Sequence, residues 1–416
     1  MVRPASAGAS ASDRSGSDGS VGSLRNTRGP RNFGNVGTLL LILLLLTLTG
    51  FGCTPTSSDV SHTAESTQAA DGPIHVRPGQ DLQQALDRAA DARQYRVLIL
   101  EPGIYQTDQP QFCLLALTSR HSGVTIEGRP GAVLSARSEA DPEQAAVSHV
   151  IYCGDGLTSD TLIKGITISG ARGLATNVGV PVEDYGVRQA VLRQGLFFFM
   201  DGGAVKVFGR SSPVFENVVF RDNQTDLCGG AVSIEQQGFR ESPVVFRNCQ
   251  FLNNRCPGTG AAVDVLQGSA VRIDNCLFAD NIANYGMQQI VEKYQLSYNG
   301  EHGCGALTVF PDSVAWVSRS TFTGNWNAAD DRSTFSRYEN CIFVMNDASD
   351  GSRPGHPYEL DIIHADGVTG CFFHSQHPDL RGTISPDKNV LHADHPLLDE
   401  FYVPQNPHYR DVGFRP

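Results

Sequence analysis

The chain is predicted to be all-β, a parallel β-helix closed at its N-terminal end by a short helix. Three observations predict this. One pattern runs from Phe215 to Asn223, Phe246 to Asn254 and Ile273 to Asn281, with looser copies at Val317 to Asn325, Tyr338 to Asn346 and Val368 to Gln376. Its phenylalanines, at positions 220, 251, 278, 322, 343 and 373, are separated by 31, 27, 44, 21 and 30 residues, the self-similarity of a solenoid. Within a copy, Val271 and Ile273 alternate with polar residues, the chain steps at Asn275, and Cys276 and Phe278 resume the alternation. That is strand periodicity broken by a residue that tolerates a left-handed bend. Helical repeats would instead space apolar residues by three and four over ten or more positions.

Coils of three short strands stacked in parallel register, about 4.8 Å apart, place equivalent residues in columns. Val218, Cys249, Cys276, Ser320, Cys341 and Cys371 are expected to line one inward column, and the six phenylalanines the next. Asn217, Asn248, Asn275 and Asn340 are expected to form an amide ladder at one bend.

Residues 1–35 are rich in Ser, Gly, Asn and Arg and nearly lack apolar content, which predicts a disordered basic leader. The run Leu39 to Leu46 ends near Gly52-Cys53, and segment 36–53 reads as an export signal or membrane anchor. Residues 54–72, rich in Thr, Ser, Ala and Asp, form a flexible tether. The solenoid is assigned to 73–388. Ile74 and Val76 begin it, Asp81 caps a helix whose Leu82, Leu86 and Ala89 share a face, and early coils run through Thr125 and Ile126 and from Leu162 to Ile168. Capping is a physical need, because an open solenoid end exposes core and strand edges. Residues 389–416 form a closing segment.

The Gly229-Gly230-Ala231-Val232 and Phe220-Arg221-Asp222-Asn223 signatures and their copies resemble the repeats of polymorphic outer membrane proteins. More broadly, residues 160 to 376 resemble right-handed parallel β-helix proteins of the pectate-lyase-like superfamily. The resemblance implies a right-handed coil, a helical N-terminal cap over residues 74–105 and a C-terminal closing segment. It implies no single activity, because that superfamily holds lyases, hydrolases, epimerases and adhesins. Cys53 after Gly52 resembles a bacterial lipobox, which would make Cys53 a lipid attachment point. The alternative is an uncleaved anchor, and under either reading the body is exported to the cell envelope.

The formal net charge is −12, and without residues 1–52, which hold five Arg and two Asp, it is −15. An acidic body offers no footprint for nucleic acid and no basic face for anionic membranes. The spacing of the cysteines suggests no metal site, since no C-x-x-C pair is present. Cys228 and Cys256, in the same turn of consecutive coils, are either a disulfide or two buried thiols. The chain is expected to be a monomer.

Coil length varies mainly at one turn, through insertions at 172–201 and 282–303. Insertions in a repeat protein fall on one face, often the binding face. With Val205, Val232, Val263 and Leu307 inward, Lys206, Ser233, Asp264 and Thr308 point outward, followed by Phe208, Glu235, Leu266 and Phe310. Lys206, Glu235 and Asp264 are therefore the catalytic candidates. Tyr185, Arg188, Tyr294 and His302 of the insertions, with Phe208, are the ligand-binding candidates. The leading expectation is a groove that binds carbohydrate or a surface protein, an adhesin-like or scaffold role without cofactor. The alternatives are a glycoside hydrolase using Glu235 and Asp264 as acid and base, or a polysaccharide lyase. In the lyase, Lys206 or a loop Tyr or His would take the proton, with Arg188 or Ca²⁺ on the uronate carboxylate. A solvated sheet face with ordinary cross-strand ion pairs explains the same charges.

Overall fold

The computed structural model describes residues 72–154, 156–173, 196–286, 292, 305–346, 358–374 and 384–416, within one compact unit, Ser66–Pro416. The leader, the apolar segment, Cys53, the tether and the candidates Tyr185, Arg188, Tyr294 and His302 lie outside the described residues. Among the described residues no helix is long and apolar enough to cross a membrane.

The strands form three all-parallel sheets, of ten, ten and eight strands, and successive strands of each sheet come from successive coils. The protein is a parallel β-helix. Each coil contributes a strand to the first sheet (Val244–Arg247, for example), then to the second (Gln250–Leu252), then to the third (Val263–Val265). Strand register follows the repeat: Phe220 pairs with Phe251, Phe251 with Phe278 and Phe278 with Phe322.

Two columns of left-handed residues turn the coil. Asn217, Asn248, Asn275 and Asn340, all with φ of 52–55°, separate the first sheet from the second. Asp222, Asn253 and Asp280, with φ of 51–58°, end the second. Asn and Asp suit both bends because their short polar side chains tolerate the left-handed region. The third sheet opens on the Gly-Gly-Ala signature for a steric reason. Gly229 has φ of 62°, and a Cβ on Gly230 would stand 2.3 Å from the Ala261 carbonyl oxygen.

The inward columns fill as expected. The six phenylalanines stack nearly parallel, with ring centroids 4.4–5.1 Å apart from Phe220 to Phe373. Cys249, Cys276, Cys341 and Cys371 are buried free thiols beside them. Cys276 Sγ lies 3.4 Å from the Asp274 carbonyl oxygen and accepts from Cys249 N–H at 3.4 Å, while Ser320 Oγ accepts from Cys276 N–H at 3.1 Å. A hydroxyl therefore already serves in this column. Cys276→Ser is expected to cost no more than about 1 kcal/mol in urea unfolding, because both of its bonds survive.

The amide ladder stands in a different column from the expected one. Asn217, Asn248 and Asn340 are exposed, and among the described residues that column forms a single rung, Asn275 Nδ2 to Asn248 Oδ1 at 2.8 Å. The continuous ladder uses the last Asn of each repeat. Each Nδ2 donates to the next Oδ1, from Asn223 to Asn254, Asn281, Asn325 and Asn346, at 2.7–3.1 Å. These side chains point into the corner, where each Nδ2 also donates to a backbone carbonyl of the preceding coil, while Asn217, Asn248 and Asn340 point to water.

Helix α1 (Leu82–Asp91) covers the N-terminal end. The Asp81 carboxylate accepts from Gln84 N–H at 2.8 Å, and Leu82, Ala85, Leu86 and Ala89 join the core. The last strand, Val390–Leu391, pairs with Phe372 and Phe373, and the tail then runs back over the second sheet. Gly413 N–H donates to Asn340 O, Phe414 N–H to Thr321 Oγ1, and Arg415 exchanges two bonds with Asn275. The closing segment thus straps earlier coils instead of plugging the end alone.

Candidate functional site

Register places the outward residues of the third sheet in one line: Tyr152, Lys206, Ser233, Asp264, Thr308, Asp330 and Asp361, one per coil. The expected alternation is correct, with Val205, Val232, Val263 and Leu307 in the core. The expected openness is not found. Lys206 and Asp264 are fully buried, and Glu235 is the accessible member, its side chain about 29 % exposed.

An aromatic cover accounts for part of this burial. Helix α2 (Leu196–Met200) places Phe198 and Phe199 with Phe112, Cys113, Tyr152 and Phe208 in one cluster outside the sheet. Phe208, an expected ligand contact, is buried there against Phe198, with centroids 4.9 Å apart. The Phe198 ring lies 5.4 Å from Lys206 Nζ, a cation–π contact. His149 belongs to the same wall. It shares a bond of 2.8 Å with Gly202 O, and burial lowers its pKa to about 3, so its ring is neutral.

Lys206 is neutralised from two sides. Its Nζ is 3.0 Å from Glu235 Oε2, 3.1 Å from Ser233 Oγ and 3.9 Å from Asp201 Oδ2. Asp201 also accepts from Cys228 N–H at 3.2 Å, and burial raises its pKa to about 6 against the pull of Lys206. Asp264, one coil beyond Ser233, has no hydrogen-bond partner on either oxygen. Burial, reinforced by the Asp201 charge, lifts its pKa to about 8, and the neighbouring Thr259 hydroxyl offsets this only in part. Asp264 is therefore a protonated acid at neutral pH.

Cys228 and Cys256 are free thiols. Both meet Thr259: its N–H lies 3.5 Å from Cys228 Sγ, and Cys256 Sγ is 3.2 Å from its carbonyl oxygen. Burial and the nearby Asp201 and Asp264 hold both thiols far above the ordinary thiol pKa. This pair is not a disulfide in the structure, and neither sulfur is a ready nucleophile.

The line ends in a second charged group that the sequence reading did not single out. Arg332 is 3.1 Å from Asp330 and 2.9 Å from Asp361, and Tyr358 Oη donates to Asp330 at 3.0 Å. The Arg332–Asp330 contact is an ion pair without the alignment of a hydrogen bond. Asp331 alternates inward, where an aliphatic residue stands in neighbouring coils, and accepts from Tyr338 Oη and Ser333 N–H at 2.8 Å each. Burial raises its pKa to about 7. A signal for this strand was present: Ala328-Ala329-Asp330 follows Ala262-Val263-Asp264, with a small residue, an inward apolar residue and an outward Asp in the same register.

The raised acids define a pH response. Below about pH 4, Asp264 is protonated both folded and unfolded. Between about pH 4 and 8 the unfolded state ionises while the folded state keeps its proton, so stability falls as pH rises. Asp201 and Asp331 act in the same direction. Asp264→Asn removes this acid's share and is expected to flatten the loss by about 4 kcal/mol between about pH 5 and 9, read from unfolding curves. Equal slopes in both proteins would contradict the burial of Asp264.

Among the described residues no group of three or more His, Cys, Asp or Glu side chains is arranged to hold a metal ion. Comparison with known proteins finds no matching family model, no matching curated protein and no matching solved structure.

Proposed function

We propose that this chain is an exported, envelope-anchored β-helix protein of the pectate-lyase-like superfamily, acting as a monomer to bind carbohydrate at the edge of its third sheet. One observation carries the non-catalytic reading: Lys206 and Glu235 are paired with each other, and Asp264 is buried. Lys206 spends its bonds on Glu235 and Ser233, and Asp264 is sealed from water. A lyase base and a hydrolase acid–base pair must both reach a substrate. What the edge offers solvent is a row of half-buried residues, Glu235, Leu266, Phe310 and Arg332, suited to contact along a polymer. Repeat similarity supports the superfamily, and the apolar run before Cys53 supports export and anchoring.

A second reading, glycoside hydrolysis, would rest on Asp330 and Asp361, which stand on adjacent rungs of the third sheet but are buried and held by Arg332. One experiment separates the two. The full-length chain is incubated with a panel of neutral and acidic polysaccharides, scoring both retention and product. Retention without new reducing ends or unsaturated products is the expected result. Product formation abolished by Asp330→Asn and Asp361→Asn would replace binding by hydrolysis, and no retention on any polymer would defeat the glycan reading.

A further inference from the structure

The corner where coils leave the second sheet carries a cationic cleft that the third-sheet face does not use. Arg172, Gln224 and Arg255 are bridged in parallel on consecutive coils, so the two arginines stand two rungs, about 10 Å, apart. Arg137 reaches in from the preceding coil, its stem lying over Gly170, where a Cβ would come within 2.7 Å of Arg137 Cγ. Together with Asp222 and Asn253 they line a cleft of about 350 Å³.

Three guanidiniums line the cleft with one carboxylate, and Glu143 acts on Arg172 from outside it. That carboxylate, Asp222, accepts from Asn253 Nδ2 at 2.7 Å, and among the described residues none of the three arginines is ion-paired. Arg172 donates from Nη1 to the carbonyls of Ala171 and Asp222 at 3.3 and 3.1 Å, and Arg255 reaches Asn253 Oδ1 only at 3.4 Å. Among the described residues most of their donors have no acceptor. Burial and the Arg137 charge lower the Arg172 pKa. Unpaired like charges gathered in a chain of net charge −12 need an anion to offset their repulsion.

We propose that the Arg137–Arg172–Arg255 cleft binds a phosphomonoester group, carried by a soluble sugar phosphate or by an anionic lipid headgroup. Three planar forks converging from three coils suit a group with three terminal oxygens, whereas a carboxylate has two. The site lies apart from the glycan edge and does not depend on it.

The test uses the full-length chain in detergent, titrated calorimetrically with glucose 6-phosphate, and in parallel floated with phosphatidylcholine vesicles with and without phosphatidic acid. Flotation with plain phosphatidylcholine sets the blank for the apolar N-terminal segment. Saturable binding is expected in at least one arm: heat with the sugar phosphate assigns a soluble ligand, and added flotation with phosphatidic acid assigns a lipid. Arg172→Gln and Arg255→Gln are each expected to weaken it about tenfold, roughly the worth of one charge-assisted contact. Arg255 is exposed, so Arg255→Gln decides the matter if Arg172→Gln does not fold. Arg272 and Arg337, which flank Trp316 on the first sheet, provide the control. Arg272→Gln with Arg337→Gln should change affinity less than about twofold. Absence of binding in both arms, or an equal loss from the control pair, would overturn the proposal.

Discussion

Lys206→Ala is expected to destabilise the protein by about 3–5 kcal/mol, the cost of stripping one partner from a buried ion pair. The loss leaves Glu235 and the buried Asp201 without their cation and opens a gap beneath Phe198. Asp201, already shifted up to about 6 by burial, would take a proton more readily and soften the damage at low pH. The destabilisation should therefore grow as pH rises. Lys206→Met combined with Glu235→Gln tests the electrostatic account. It keeps the stem over Phe198 and removes both charges, and it should recover most of the lost stability, since neutral replacements of buried pairs are often tolerated. Urea unfolding of both proteins reads the difference. If the double variant were as unstable as Lys206→Ala, packing rather than charge would be the reason for the lysine.

Asn281→Ala is expected to cost about 3 kcal/mol or more, against about 1 kcal/mol for Asn248→Ala. Asn281 Nδ2 donates to Phe251 O, Ala279 O and Asn325 Oδ1, and its Oδ1 accepts from Asn254 N–H and Nδ2. Alanine leaves the Phe251 carbonyl and the Asn254 amide groups buried with fewer partners, and the rungs on either side lose their polarised neighbour. Asn248 sits in water at a left-handed bend and contributes one side-chain rung. Melting temperatures of the two variants compare the columns directly, and equal shifts would contradict the assignment of the ladder to the inner corner.

The two asparagine columns show how far sequence reading extended. Both repeat with the coil, so periodicity alone gives them equal standing. What distinguishes Asn281 from Asn275 is which side chain turns into the corner, and that depends on the φ of the residue before it, Asp280 at 58°. The phenylalanine and cysteine columns were legible because strand alternation determines inward and outward without further information. For the same reason Lys206 and Asp264 were correctly placed on the outer face. The burial of Lys206 was not legible, because Phe112, Tyr152 and Phe198, which pack outside that face, come from three separate stretches of the chain.

Asp330, Asp361 and Arg332 escaped notice for a related reason. Strand Ala329–Asp331 lacks the Gly-Gly start of other coils, and Asp330 gains meaning only when register sets it beside Asp361 and brings Arg332 between them. The repeat by itself determined the solenoid, its three strands per coil, its stacked core and the outward direction of each polar candidate, because parallel stacking turns a linear period into columns. Tertiary structure decided which outward residues meet water and which pair with each other. Those outcomes rest on contacts between coils and on the cover outside the third sheet, where residues distant along the chain share one dielectric environment.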